Sequence, residues 1–482
     1  MMAPPGSAGV SLASSKSAAG TAALPGNSEE EILRREIFRE YDIRGIAGKD
    51  LTEDTVELLG LGIGTMMQHH GRSRTAVGRD CRPSSGPFRD ALVAGLTATG
   101  VSVVDIGVVP TPLLYYSLHR LETDGGVMIT GSHNPPEYNG FKTCIGTDSV
   151  YGDQIQEIYR IIESEDFVRG KGRVSGADVL APYREYVLNQ IRLRRTVRVA
   201  LDCGNGTACL IAPDLVSDLG GEVTKLYCEM DGTFPNHHPD PTLVENLVDL
   251  QSAVQKGKLG AGIAFDGDAD RIGVIADDGK IIWGDILLAL YAREILKSRP
   301  GATFISEVKC SMNLFKDIEK HGGRAIMWRT GHSLIKAKMK EEKAVLAGEM
   351  SGHMFFADRY FGYDDAIYAA CRLLELLANS SVSLSEMLSD IPPTFVTPEI
   401  RVQCDDEKKF QVVERIKSEF RRQYEVIDVD GARILFPNGW GLVRASNTQD
   451  VLVMRFEADT QPGLDAMRSL VEERVQLAKN AR

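Results

Sequence analysis

One piece of local grammar, used three times, constrains this chain most. Thr75-Ala-Val-Gly-Arg-Asp80, Val197-Arg-Val-Ala-Leu-Asp-Cys-Gly-Asn-Gly206 and Ala302-Thr-Phe-Ile-Ser-Glu-Val-Lys309 are short β-branched or aliphatic runs, each leading into a polar or glycine turn and then a helical pattern. A strand that hands over to a helix through a tight turn specifies α/β units on mixed sheets. Three units in series predict three similar α/β domains, and 482 residues exceed what one core supports. After Ile391-Pro-Pro-Thr394 the texture changes. Strands at Glu399-Ile-Arg-Val-Gln403 and Val451-Leu-Val-Met-Arg-Phe456 alternate with amphipathic helices near 405–422 and 462–480, which predicts a smaller α+β C-terminal domain. The expected division is a disordered tail over 1–30 and domains over 31–180, 181–280, 281–390 and 391–482.

Hydrophobic content of 43% and charged content of 25% suit a soluble globular chain. A net charge of −12 argues against nucleic acid or an anionic membrane surface as the main partner. It leaves room for a small anion, because local basic residues can outweigh the global field inside a pocket. The eight cysteines are scattered without a C-x-x-C pair, as expected of reduced thiols in a cytoplasmic enzyme rather than a disulfide framework or zinc site. No apolar run approaches the ~18 residues of a membrane span. The first thirty residues are rich in Ala, Ser, Gly and Pro, with one Lys and no Arg, and read as a tail rather than a signal or transit peptide.

The chemistry begins at Thr130-Gly-Ser-His-Asn-Pro-Pro-Glu-Tyr-Asn-Gly-Phe-Lys142. Gly126-Val-Met-Ile-Thr130 predicts a short buried strand, which the Gly/Pro-rich run cannot continue. Ser132 is therefore displayed on a strand-end loop, where ligands bind in α/β proteins, with Lys142 returning behind it. It is a candidate nucleophile or phosphate carrier. A Gly-adjacent serine is also a common turn residue, His133 is not thereby its base, and no G-x-S-x-G elbow supports a hydrolase triad.

Phe265-Asp-Gly-Asp-Ala-Asp-Arg271 places three carboxylates at alternate positions. If the loop curls, Asp266, Asp268 and Asp270 converge on one cation, and an all-oxygen set favours a hard ion, Mg²⁺ or Ca²⁺, over zinc. Without a cation, three anions so close repel strongly. An EF-hand is excluded, because Arg271 and Asp277 stand where it needs Gly and Glu. Apolar Ala261-Gly-Ile-Ala-Phe265 and Ile272-Gly-Val-Ile275 flank the run, against a solvated acidic turn.

Gly348-Glu-Met-Ser-Gly-His353 sets Glu349, Ser351 and His353 at alternate positions. An extended loop would put them on one side, where carboxylate and hydroxyl suit vicinal sugar hydroxyls. Arg444-Ala-Ser-Asn-Thr448 offers a guanidinium, two hydroxyls, an amide and successive N–H groups, an inventory that matches phosphate. Lys309 and Thr330-Gly-His332 fall at predicted strand ends. Each of these loops read alone is also an ordinary polar turn.

Together these motifs resemble the α-D-phosphohexomutase superfamily, in particular its bacterial-type phosphomannomutase/phosphoglucomutase group. Four motifs occur in that family's order, and the resemblance runs from about Ile37 to the C-terminal helix. It implies four domains around a central cleft and reversible interconversion of hexose 1-phosphate and hexose 6-phosphate. Ser132 would carry the phosphoryl group, with Asp266, Asp268, Asp270 and a phosphoserine oxygen holding Mg²⁺. A hexose 1,6-bisphosphate intermediate, also the activator, would turn round before its other phosphate returns to Ser132.

By the same resemblance Arg444, Ser446, Asn447 and Thr448 would anchor the distal phosphate. Glu349 and Ser351 would hold the sugar's 3- and 4-hydroxyls. Tyr41, Arg44, Lys142, Arg271, Lys309, His332 and His353 would supply the remaining substrate-binding, cationic and proton-handling groups, with Lys142 and His353 both qualifying as general acid or base. Met350 resembles the mannose/glucose enzymes, whereas glucosamine mutases typically show Gln there. The implied partners are small hexose phosphates, on a monomer or weak homo-oligomer. The alternatives are a phosphoglucosamine mutase, an aspartyl-nucleophile Mg²⁺ enzyme, and an inactive mutase-like scaffold.

Overall fold

The computed structural model describes residues 33–447 and 449–480, and from Arg35 onward the chain forms one compact unit. Four sheets succeed one another along it. In the first, of seven strands, Arg74–Arg79 lies parallel to both Ser102–Val108 and Gly125–Ile129, while Tyr138–Ile145 runs antiparallel to Gly125–Ile129 and to Ile43–Ile46. The second has Arg198–Asp202 parallel to Glu222–Leu226 and Ala261–Phe265, and then Ile272–Ala276 antiparallel. The third repeats the plan with Thr303–Glu307 parallel to Arg324–Trp328 and Leu346–Gly348, and Met354–Phe356 antiparallel. These are the three mixed-sheet α/β units that the repeated grammar predicts.

The fourth sheet is antiparallel, six strands built around Gly439–Ala445 and Val451–Ala458. Helices Asp406–Phe420 and Gln461–Asn480 pack on it through Val412, Ile416, Leu464, Met467, Val471 and Val475. Apolar side chains about one helical turn apart bury one face of each helix, as the period-3.6 pattern requires. The first three sheets share one continuous apolar core, whereas the C-terminal sheet has its own. Burial explains why Gly125–Ile129 and Ala261–Phe265 read as unbroken apolar runs: every residue in both is buried.

One arrangement recurs in all four sheets and positions everything below. Gly125–Ile129, Ala261–Phe265, Leu346–Gly348 and Gly439–Ala445 are each followed by a short connection and an antiparallel return strand. Each connection carries one of the four sequence motifs. The motif residues are therefore loops held at both ends by backbone ladders.

Asp365 ties the second unit to the third. It caps the helix Ala366–Ala378 by accepting from the Tyr368 N–H at 2.8 Å, and it also accepts from the hydroxyls of Tyr183 (2.9 Å) and Tyr360 (2.7 Å). Burial raises its pKa from 3.8 to about 6, opposed by these hydrogen bonds. Between those values the folded state binds the proton more tightly than the unfolded chain. The resulting stabilisation is full below 3.8 and falls as pH rises to about 6, by about 3 kcal/mol. Asp365→Asn is expected to remove that component, which denaturant titrations of both proteins at pH values spanning this window would measure.

Candidate active site

Ser132 sits at the first hairpin connection with φ of +49°, in the left-handed region that a non-glycine residue occupies only under constraint. The constraint is Arg82. Its buried guanidinium donates to the carbonyls of Ser132 (2.7 Å), Asn134 (2.6 Å), Pro135 (2.5 Å) and Tyr138 (3.1 Å), and its Nε donates to Asp80 at 3.0 Å. Asp80 also accepts from the Gly131 N–H at 3.1 Å. A Cβ at Gly131 would stand 2.6 Å from the Arg82 guanidinium carbon, so the approach requires glycine. Phe234, from the second unit, lies 5.0 Å below the guanidinium.

The loop so clamped aims Ser132 Oγ at the second unit, 3.0 Å from Asp266 Oδ2 and 3.1 Å from His133 Nδ1. The aspartate run does curl: Ala269 takes φ of +60° and its N–H returns to the Asp266 carbonyl at 3.1 Å. Asp266 Oδ1 accepts from the N–H groups of Asp270 (3.0 Å) and Arg271 (3.1 Å). Asp268 Oδ2 accepts from Thr111 Oγ1 (2.6 Å), Thr130 Oγ1 (3.2 Å) and Lys142 Nζ (3.0 Å). Lys142 Nζ also binds Asp270.

The electrostatics of the buried triad are set by mutual repulsion and one lysine. Burial, then Asp270 and Asp268, pushes Asp266 well above the usual carboxylate range. Burial pulls in the same direction on Asp270, but Lys142 and His353 hold it below its ordinary value. Burial disfavours charge on Lys142 too, and Asp268 and Asp270 outweigh that and raise its pKa. The triad fits a metal ion. One oxygen from each carboxylate lies within 4.8 Å of the others, and Asp268 Oδ1 and Asp270 Oδ1 are buried without a hydrogen-bond partner. Unpaired buried carboxylate oxygens are costly unless a cation meets them.

The third unit closes over this pair. Its loop differs from the extended stretch expected from alternation. Gly352, at φ of +95°, and the Gly352 N–H to Glu349 carbonyl bond of 3.0 Å make a tight turn, and Glu349 and His353 face each other across it. Their side chains still converge, Nε2 to Oε2 at 3.9 Å, through hairpin pairing rather than strand alternation. Ser351 is half-buried beside the turn tip.

His353 Nε2 accepts from Arg271 Nε at 3.0 Å, and its Nδ1 lies 3.3 Å from Asp364 and 3.6 Å from Asp270. Burial opposes protonation of His353, but Asp270 and Asp364 raise its pKa above the ordinary value. His332 stacks on His353 at 5.9 Å, and burial next to Lys336 holds its pKa well below normal. Glu349 Oε1 accepts from the Gly331 N–H at 2.8 Å. Lys309 stands apart from the triad, 3.6 Å from Glu307 and 3.5 Å from Glu399.

The fourth unit packs on the third through Val308, Trp440 and Leu442, and polar bonds join its site loop to the others. Arg444 Nε donates to Asp430 at 3.0 Å, and the same carboxylate oxygen accepts from the Thr330 N–H at 3.1 Å. Ser446 Oγ accepts from the Gln449 N–H at 3.1 Å. Asn447 Nδ2 donates to Tyr41 Oη at 2.8 Å, and that hydroxyl donates to the Thr330 carbonyl at 2.9 Å. Arg44 donates to Asn134 Oδ1 at 3.0 Å and pairs with Asp42. Thr448 lies outside the described residues.

Several participants were not among the sequence candidates: Arg82, Thr111, Glu307, Asp364 and Asp430. Arg82 stands two residues beyond Asp80, in the turn that follows the first predicted strand. Glu307, which accepts from Thr330 Oγ1 at 2.6 Å and the Met350 N–H at 3.2 Å, ends the strand Thr303–Glu307, two residues before the predicted strand end at Lys309. Asp364 and Asp430 lie in acidic stretches with no motif spacing.

Comparison with known proteins places this geometry. Four family models match in order: phosphoglucomutase/phosphomannomutase alpha/beta/alpha domain I over residues 35–169, domain II over 181–279, domain III over 283–395, and the C-terminal domain over 399–474. A phosphomannomutase/phosphoglucomutase of Pseudomonas aeruginosa is 46% identical over 439 residues, 91% of this chain and 95% of that protein. A phosphoglucomutase of Neisseria gonorrhoeae is 46% identical over 442 residues, covering 91% and 96%. The crystal structure of a phosphoglucomutase/phosphomannomutase family protein from Burkholderia thailandensis superposes with a TM-score of 0.88 at 40% identity, over 93% of this chain and 99% of that one.

Proposed function

Because the chain belongs to the phosphoglucomutase/phosphomannomutase family, we propose that it interconverts hexose 1-phosphates and hexose 6-phosphates, with mannose and glucose as the sugars. The single observation that carries this reading is the Ser132 hydroxyl held 3.0 Å from Asp266, within a buried three-carboxylate cluster. Such a pairing suits phosphoryl carriage rather than acyl transfer. It matches a hydroxyl with a cation site instead of an oxyanion hole.

Ser132 carries the phosphoryl group as an ester, gives it to the free hydroxyl of a bound hexose monophosphate, and takes back the other phosphate after the bisphosphate has turned. Asp266, Asp268, Asp270 and a phosphoserine oxygen would hold Mg²⁺, which would supply charge neutralisation for the phosphoryl group. Lys142 is held against Asp268 and Asp270, which fixes its amine beside the carboxylate cluster and the Ser132 loop. His353 accepts at Nε2 from Arg271 and so keeps its proton on Nδ1, toward Asp364. Lys142 and His353 are the two groups placed to move the substrate hydroxyl's proton.

Glu349 and Ser351 bind the 3- and 4-hydroxyls, which mannose and glucose share. Arg44, His332 and Lys309 add donors around the sugar phosphate. Arg444, Ser446, Asn447 and Thr448 grip the distal phosphate, with Tyr41 bridging that loop to the third unit. Glu349→Ala is expected to lower kcat/KM by about 10²-fold, the loss of a charged hydrogen bond to sugar. A coupled assay with mannose, glucose and glucosamine 1-phosphates, supplied with Mg²⁺ and a hexose 1,6-bisphosphate, tests the whole reading. Turnover of the first two and little of the third is expected, and a preference for the amino sugar overturns the assignment from Met350.

A further inference from the structure

Behind the aspartate loop, on the far side of the turn that supports it, two thiols meet. Cys203 follows the strand Arg198–Asp202, and Cys228 follows its parallel neighbour Glu222–Leu226, whose last residue pairs with Asp202. Cys228 Sγ and Cys203 Sγ lie 3.4 Å apart, in thiol hydrogen-bond contact. A disulfide needs about 2.05 Å, so the sulfurs must close by about 1.4 Å. Cys203 is buried and Cys228 half-buried, so a small oxidant in water meets Cys228 first. The hydrogen bond with Cys203 draws the Cys228 thiol below its ordinary pKa against the effect of burial. The hydrogen bonds that Cys203 makes to Cys209 and Cys228, with burial, hold it well above its own.

What lies beyond Cys203 gives the pair a consequence. The turn 203–207 closes with the Gly206 N–H on the Cys203 carbonyl at 2.8 Å, and the Thr207 N–H then donates to the Gly267 carbonyl at 3.0 Å. Gly267 sits between Asp266 and Asp268. A Cβ at Gly206 would stand 2.6 Å from that carbonyl, so turn and loop are in contact with no slack.

We propose that Cys228 and Cys203 form a peroxide-oxidisable dithiol whose disulfide shifts the 203–207 turn and so disturbs the aspartate loop. The Cys228 thiolate attacks one peroxide oxygen, an S–O bond forms, and the O–O bond breaks. The departing hydroxide takes up a proton as water. Cys203 sulfur then attacks the Cys228 sulfenic acid; the S–S bond forms, the S–O bond breaks, and the second hydroxide leaves as water with the Cys203 proton. Two thiols are oxidised by two electrons and one hydrogen peroxide is reduced to two waters. The thiol chemistry is independent of the hexose phosphate reading, and only the turnover arm of the test rests on it.

The test treats the full chain, in Mg²⁺, with hydrogen peroxide, followed by non-reducing peptide mapping and thiol titration. Two thiols should disappear, a linked peptide pair containing Cys203 and Cys228 should appear about 2 Da below the sum of its parts, and dithiothreitol should reverse both. Turnover should fall on oxidation and return on reduction, while Cys228→Ser should keep its turnover under the same treatment. In Cys203→Ala, which provides a second variant if the first folds poorly, Cys228 should stop at a sulfenic acid that dimedone traps. Linkage of either cysteine to Cys209, persistence of both thiols, or a Cys203–Cys228 disulfide with unchanged turnover would each overturn the proposal.

Discussion

Ser132→Ala is expected to lower kcat by about 10⁴-fold, about 5 kcal/mol of barrier, with little change in stability. The argument is one of replaceability. The variant keeps the loop: the Arg82 bonds go to backbone carbonyls, and the Ser132 N–H still donates to Thr130 Oγ1 at 2.8 Å. The left-handed φ is the same for serine and alanine. Only the oxygen that can carry phosphate is lost, and the Thr111 and Thr130 hydroxyls of the same cluster are committed to Asp268. The checks are steady-state kinetics beside a circular dichroism spectrum, and intact-mass analysis after incubation with hexose 1,6-bisphosphate. Wild type should gain one phosphate on the Ser132 peptide and the variant none. Phosphate on a peptide containing Asp266 or Asp268 would instead establish an aspartyl carrier.

Arg82→Ala is expected to cost about 3–5 kcal/mol in stability and to abolish most turnover, although Arg82 has no place in the transfer itself. Its guanidinium is the only described side-chain donor to the four loop carbonyls it reaches, and it is the buried cation beside Asp80. Removing it strands acceptors that water cannot easily reach, and leaves the Asp80 charge without its counter-ion. Arg82→Lys should recover little, because one ammonium cannot span the positions that a planar fork serves at once. Chemical denaturation measures the first effect. Kinetics on protein kept well below its transition temperature measure the second, which should appear as a lower kcat rather than a higher KM. A normal kcat in a destabilised variant would mean that Ser132 keeps its place without the clamp.

The architecture was legible in the sequence because its signals are local. Three strand–turn–helix units follow from short apolar runs and the residues that stop them, and the aspartate loop's curl follows from the need to bring alternate carboxylates together. The sugar loop shows where such reasoning stops. Alternation at Glu349, Ser351 and His353 implies an extended segment, but Gly352 at φ of +95° turns the chain, and hairpin pairing brings Glu349 opposite His353.

By itself the sequence determined which chemical groups this protein owns and which strand ends display them: a hydroxyl, a carboxylate triad, a sugar loop and a phosphate loop, in that order. Only the tertiary structure decided their partners. Tyr41 meets Asn447 across nearly the whole chain, Asp364 reaches His353 from a stretch with no motif, and Asp430 joins Arg444 to Thr330. The physical reason is that a strand's apolar pattern depends on its own neighbours, whereas the partner of a buried charge depends on how separate sheets pack. That packing is a sum of many weak apolar contacts distributed over the chain, and no single segment records it.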